Sequence, residues 1–256
     1  MLNVKPKKNL GQHFLTEPHT ADKIVGLLQT IPDLPVFEIG PGKGVLTGRL
    51  ATKVKNLHVL EIDAEAIQYL HQNYEAGAFQ IHETDVLKWK FPESEEFRVI
   101  GNLPYNITSP IFFHLLAYRK NLVQGVFMIQ KEVADRICAP PGTKTCGILS
   151  VILSAWFDCH YHLTVPPGAF FPPPKVKSAV ITLTRKPTPP ELGFGSFLRL
   201  VKTAFGQRRK MLRNALSSIE FNQSDKLDVL MTRRAEALTL EEYFWLHGQM
   251  QSKAIR

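Results

Sequence analysis

From Val36 to Leu183 the sequence alternates short apolar runs with amphipathic stretches, and this alternation limits the fold more than any other feature. Val36–Ile39, Leu57–Glu61, Phe79–His82, Phe97–Ile100 and Gly125–Ile129 read as strands. Helical spacing of apolar residues runs over about 17–29, 44–54, 63–73, 109–119 and 131–138, and again over Leu149–Phe157. Strands separated by helices predict a parallel sheet covered on both faces. Two more strands, Tyr161–Thr164 and Ala179–Leu183, flank Val165–Pro174. That segment holds too many prolines for a helix, so the pair is expected to close the sheet as an antiparallel end. The expectation is an α/β fold with a mostly parallel, seven-stranded sheet.

Lys186–Pro190 reads as a stiff linker. Beyond it the pattern is helical throughout. Phe197, Leu198, Val201, Ala204 and Phe205 share one face, and further helices surround Met211–Leu216 and Leu227–Met231. Thr239 with Glu242 has capping-box spacing at the start of another. The chain is therefore divided into a basic segment 1–16, an α/β domain 17–186 and a small all-helical domain 187–256. Its 256 residues are enough to bury a core without staples. The three cysteines, Cys138, Cys146 and Cys159, form no CxxC pair and suggest reduced thiols, with no disulfide framework and no metal site. No apolar stretch follows the basic start, and the most apolar window, Ile148–Phe157, is too short to span a bilayer. A cytoplasmic protein without membrane contact is expected.

Charge is uneven. The formal net charge is +8, and residues 17–186 are nearly neutral, with 17 basic and 16 acidic side chains. No acid lies between Glu191 and Glu220, where Arg199, Lys202, Arg208, Arg209, Lys210 and Arg213 crowd together. Such a cluster suits a phosphate backbone, and a solvated helix face is equally compatible with it.

Three features place chemistry at the carboxyl ends of the strands, where open α/β sheets bind ligands. Glu38–Thr47 is a glycine turn between a strand and a helix, with its glycines as GxGxG. Glu61 ends the second strand at a spacing that lets a carboxylate accept ribose hydroxyls, and Asp85 follows the third. Nicotinamide dehydrogenases and S-adenosylmethionine (SAM) methyltransferases share this much. The discriminating segment is Gly101–Asn106, which contains Asn102-Leu103-Pro104-Tyr105. It reads either as ordinary turn chemistry or as the [NDS]-P-P-[YF] loop of amino-group methyltransferases. In the second reading, the Asn102 side-chain oxygen and the Pro104 carbonyl accept the two hydrogens of an aromatic amine, and Tyr105 stacks on the base. Phe170–Val176, rich in proline, is either a plug at the sheet edge or an aromatic wall for an extruded base.

Leu10–Leu15, Glu38–Gly42, Glu61–Asp63, Gly101–Asn106, Phe171–Val176 and Phe205–Lys210 occur in one order. With these segments the chain resembles the rRNA adenine N6,N6-dimethyltransferase family, and most closely its bacterial small-subunit (16S) group. The resemblance implies a Rossmann-like class I methyltransferase fold and SAM as cofactor. It implies N6,N6-dimethylation of two adjacent adenines in the 3′-terminal hairpin of small-subunit rRNA, on rRNA or a pre-30S particle; no dimer surface is obvious in the sequence, and a monomer is expected. Family cofactor positions carry over to His13, Leu15, Gly40, Glu61, Asp85 and Asn102, with His13 standing where many relatives have asparagine. Asn102, Leu103, Pro104 and Tyr105 match the catalytic loop, and Phe171 its aromatic wall. Arg208, Arg209 and Lys210 are candidate RNA contacts. Three other readings stay open. They are a non-catalytic assembly factor on the same fold, the relative that dimethylates a large-subunit adenine, and a nicotinamide dehydrogenase, which leaves Asn-Leu-Pro-Tyr unexplained.

Overall fold

A computed structural model describes residues 4–7 and 10–251 of the chain. They divide into two compact units. One runs to Ala134 and includes Cys159–Arg185, and the other joins Asp135–Asp158 to the chain from Lys186 onward.

The first unit is built on the expected sheet. Its strands are β2 (Val36–Ile39), β3 (Leu57–Glu61), β4 (Gln80–Glu83), β5 (Phe97–Asn102), β6 (Leu122–Gln130), β7 (Phe157–Val165) and β9 (Ser178–Arg185). Their order is β4-β3-β2-β5-β6-β9-β7. The first five are parallel, and β9 pairs antiparallel with β6. A short separate sheet pairs β1 (Phe14–Leu15) antiparallel with β8 (Phe170–Phe171).

Residues of both pleat directions are buried, as a sheet covered on two sides requires. Val36, Val59, Ile100 and Val126 pack against Ile24 and Val25 of α1 (Pro18–Gly26), Leu50 of α2 (Thr47–Ala51) and Leu70 of α3 (Ala64–Asn73). On the opposite side, Phe127 meets Phe112 of α4 (Thr108–Ala117) edge to face at 5.2 Å. Phe37 lies edge-on to Phe91 and Phe97 at 5.3 and 5.7 Å. Each such buried side chain contributes roughly 1.5–3 kcal/mol of transfer free energy. Helix α1 starts where Glu17 accepts the backbone N–H groups of His19 and Thr20 and Pro18 presets φ.

The chain order reverses at β2, whose neighbours are β3 and β5, and ligands enter open α/β sheets at such a point. Here Ile39 pairs with Gly101. A β-carbon at Gly101 would lie 2.6 Å from the Ile39 carbonyl oxygen, so glycine is required for these strands to approach. The approach sets the turn after Ile39 beside Asn102, the last residue of β5.

The second unit is helical. It contains α6 (Ile148–Trp156), α7 (Phe194–Gly206), α8 (Leu212–Ala215), α9 (Asp225–Met231) and α10 (Leu240–Gly248), with α5 (Lys131–Ile137) leading out of β6. The expected capping box is present: Thr239 Oγ1 accepts the Glu242 N–H, and Glu242 accepts the Thr239 N–H. The division at 186 needs correction for residues 135–158. Helix α6 buries Val151, Ile152, Leu153 and Ala155, and the Trp156 ring packs edge-on to Phe194 and Phe197 at 5.5 and 5.8 Å. A helix this apolar must be covered, and the later helices cover it. No helix among the described residues is long and apolar enough to cross a membrane.

Candidate active site

A cavity of about 210 Å³ opens at the carboxyl ends of β2, β3, β4 and β5. Of the residues singled out from sequence, His13, Gly40, Glu61, Asp85, Asn102, Leu103, Pro104 and Tyr105 line it. Gly40 and Gly42 hold φ of +65° and +55°, and a β-carbon at Gly42 would lie 2.8 Å from the Phe14 ring. The turn is therefore a place where bare backbone borders the cavity.

Glu61 is 5% exposed. Its carboxylate accepts backbone N–H groups from Ile62 (2.9 Å), Asp63 (3.0 Å) and Gly42 (3.2 Å). Burial pushes its pKa up, against the pull of those three donors. They fix the carboxylate's direction and tie β3 to the glycine turn. Asp85 Oδ1 accepts the Leu87 N–H at 2.9 Å, an Asx-type turn that holds the acid at the rim.

The Asn102 amide nitrogen donates to the His13 carbonyl at 2.8 Å. An amide has a donor end and an acceptor end. Committing the NH₂ group to His13 leaves Oδ1 as the acceptor end beside the cavity. Tyr105 is held by a hydroxyl contact to Ser178 Oγ at 2.5 Å and by stacking on the His13 ring, with centroids 5.3 Å apart. The His13 imidazole Nδ1 lies 2.7 Å from the Pro172 carbonyl. Thus His13 of the N-terminal segment touches Asn102, Tyr105 and Pro172.

The family model for ribosomal RNA adenine dimethylase matches residues 3–250. The chain belongs to this family. Its members are SAM-dependent rRNA adenine dimethyltransferases. The dimethylase is 45% identical over 255 residues to ribosomal RNA small subunit methyltransferase A of Phocaeicola vulgatus, covering 97% of this chain and 91% of that one. It is 44% identical to the protein of that name from Flavobacterium johnsoniae, with both chains covered in full. Among solved structures, a dimethyladenosine transferase from Plasmodium falciparum superposes with a TM-score of 0.78 at 25% identity, over 93% of this chain and 99% of that one. The 23S rRNA methyltransferase ErmE shares the fold, with a TM-score of 0.73 at 24% identity over 92% and 98% of the two chains.

The residues of the dimethylase that line the cavity fit SAM. Two carboxylates on adjacent strand ends suit hydroxyl and amino hydrogens, the glycine turn admits close approach, and Ile62, Val86 and Leu87 give an apolar surface for a purine. Some sequence readings change. Leu15 does not line the cavity; it is buried in the core with Ile24 and Val25. Phe171 does not line it either. It pairs with Phe14 across β1 and β8 and is 59% exposed. The Pro104 carbonyl already accepts the Ile107 N–H (3.3 Å) and Thr108 Oγ1 (2.9 Å), which start α4. Both its lone pairs are used, so it is not the second acceptor for an amine. The Leu103 carbonyl, one residue earlier, accepts no hydrogen bond among the described residues.

In the second unit, Arg209 and Lys210 are exposed. Arg208 is exposed as well, and its guanidinium also donates to the Lys144 and Cys146 carbonyls (2.6 and 3.4 Å), which ties it to its own unit. Sequence reasoning gave no role to Gln12, Ile62, Asn106 or Ile107, which also line the cavity. The Leu10–Leu15 segment was part of the resemblance, but nothing in it signals which side chain turns inward.

Proposed function

We propose that this dimethylase converts two adjacent adenines in the 3′-terminal hairpin of small-subunit rRNA to N6,N6-dimethyladenine, with SAM as methyl donor. The observation that carries the reading is the Asn102 amide fixed by the His13 carbonyl at 2.8 Å. SAM, when bound, supplies a methyl group carried on a positive sulfur. Glu61 and Asp85 are the residues to hold its ribose and adenine, beside the Gly40–Gly42 turn.

The amine of adenine is a weak nucleophile because its lone pair is delocalised into the ring. Asn102 Oδ1 accepts one amine hydrogen and the Leu103 carbonyl the other. With both hydrogens drawn out of the ring plane, the lone pair leaves conjugation. Tyr105, locked by Ser178 and His13, stacks on the base, a contact worth about 1–3 kcal/mol. As the nitrogen takes the methyl group, the methyl's bond to sulfur breaks and the nitrogen becomes positive; it then releases a proton to solvent, so no side chain must take one up as the bond forms. The rate enhancement is positioning and preset dipoles. The dimethylated nitrogen retains no hydrogen, which limits the reaction to two methyl groups per adenine. Intact Asn102 and Tyr105 argue against a purely passive assembly factor.

Primer extension on small-subunit rRNA from cells lacking the protein tests the reading. N6,N6-dimethyladenine blocks the Watson–Crick edge, so the stop near the 3′ end is expected to vanish and to return on complementation. A stop that persists would refute the proposed target.

The basic helical unit is proposed to hold RNA phosphates. If about six are neutralised, log K falls with log[salt] at a slope near −4. Replacing Arg209 and Lys210 by alanine is expected to lower that slope by about 1.4 while leaving SAM affinity unchanged, as read by filter binding across a salt series.

A further inference from the structure

We infer that Asp63 is a positioning residue for methyl transfer: by holding Lys7 and Gln12 it fixes the N-terminal segment over the cavity and so presents the His13 carbonyl that orients Asn102. The inference rests on the proposed role of Asn102.

Asp63 follows β3 and is 2% exposed, yet none of the chemistry above uses its side chain. Its Oδ1 accepts Lys7 Nζ at 2.6 Å and the Glu65 N–H at 3.0 Å. Its Oδ2 accepts Gln12 Nε2 at 3.0 Å. Gln12 closes a ring by accepting the Lys7 backbone N–H at 2.9 Å, while the Leu10 and Gln12 N–H groups return to the Lys7 carbonyl. Residues 7 and 12 are thereby pinned to one buried carboxylate. Among the described residues, every side-chain hydrogen bond or ion pair from residues 4–12 to the rest of the unit ends on Asp63 or on Glu65, which lies 3.3 Å from Lys7 Nζ. His13 comes next, and its carbonyl takes the Asn102 amide. A charge-assisted pair in a shielded site is strong and directional. The path from Asp63 to the reacting amine is therefore short and polar: carboxylate, Gln12, His13 carbonyl, Asn102 amide.

A second role competes with this one. Asp63 also caps α3 through the Glu65 N–H, and its own N–H supports Glu61. The test must leave that cap in place. In the Lys7→Met/Gln12→Ala variant both partners are gone while Asp63 and α3 remain. Lys7→Arg keeps the ion pair and serves as the conservative control. The single-turnover methyl-transfer rate is measured on a small-subunit rRNA fragment at saturating SAM, with SAM affinity by calorimetry and the melting temperature alongside.

The double variant is expected to lose roughly ten- to a hundredfold in rate at saturation, the scale of a misplacement of about 1 Å. Its melting temperature is expected to fall, because a buried carboxylate loses its partners, so the rate is read well below the transition; the Lys7→Arg variant keeps its rate. A full rate at saturating SAM, with only weaker SAM binding, would overturn the inference by making the segment a wall and no more. If the unmodified protein transfers no methyl group, the proposed function has failed independently. Hydrogen exchange of the Asn102 side-chain amide then decides: loss of its protection in the double variant supports the latch, and retained protection overturns it.

Discussion

Asn102→Ala is expected to lower the single-turnover methylation rate by about 10²–10³-fold, the usual cost of removing one preorganised polar group from a reacting centre. RNA binding should be unchanged, because no phosphate contact is assigned to this side chain. Asn102→Asp is the more telling variant. It keeps an acceptor for the amine but removes the N–H that the His13 carbonyl accepts at 2.8 Å. Two oxygens then face each other, and the acceptor loses its fixed direction. We expect Asn102→Asp to be nearly as impaired as Asn102→Ala. Near-normal turnover in either would remove the proposed mechanism.

The second large effect concerns stability. Glu38, in β2 just before the glycine turn, is 1% exposed, and its Oε2 has no hydrogen-bond partner among the described residues. Burial pushes its carboxyl pKa up to about 8; Thr47 opposes the shift and the charge of Glu61 adds to it. Between the ordinary value of 4.5 and about 8 the folded protein keeps a proton that the unfolded chain has released. Stability therefore falls as pH rises through that window, by up to about 1.4 kcal/mol per unit for this group. Glu38→Gln, neutral and nearly isosteric, removes this pH dependence. Denaturant unfolding between pH 5 and 8 should show the variant gaining on the parent as pH rises. Parallel curves would show that Glu38 is already ionised in the fold.

The sheet was legible because its period is local. β2 and β3 match the sequence expectation residue for residue, since each is a short apolar run ended by a polar or glycine-rich turn. β7 was read too short. His160 and Asp158 interrupt its apolar run, yet between its buried ends half-buried and exposed residues alternate, as on an edge strand. The placement of 135–158 was not legible, because an apolar helix does not announce which body will cover it. In the site, Gly40, Glu61, Asp85 and Asn102 were recognisable because each lies at or just after the end of a strand. The Asn102–His13 bond joins residues 89 apart and the Phe14–Phe171 pair still more distant ones. No local spacing encodes such contacts. The same holds for Pro104, whose carbonyl is withdrawn by a helix that only the folded backbone reveals.

The pairing of β1 with β8 has a consequence for biosynthesis. The strand that anchors Phe14 and the carbonyl that meets His13 belong to residues 170–172. A ribosome adding about 5–20 residues per second needs roughly eight to thirty seconds to bridge that interval. Until then the nascent chain has strands β2 to β6 but not the segment that holds Phe14 and His13, so the cleft is completed late in synthesis, well after the sheet that floors it.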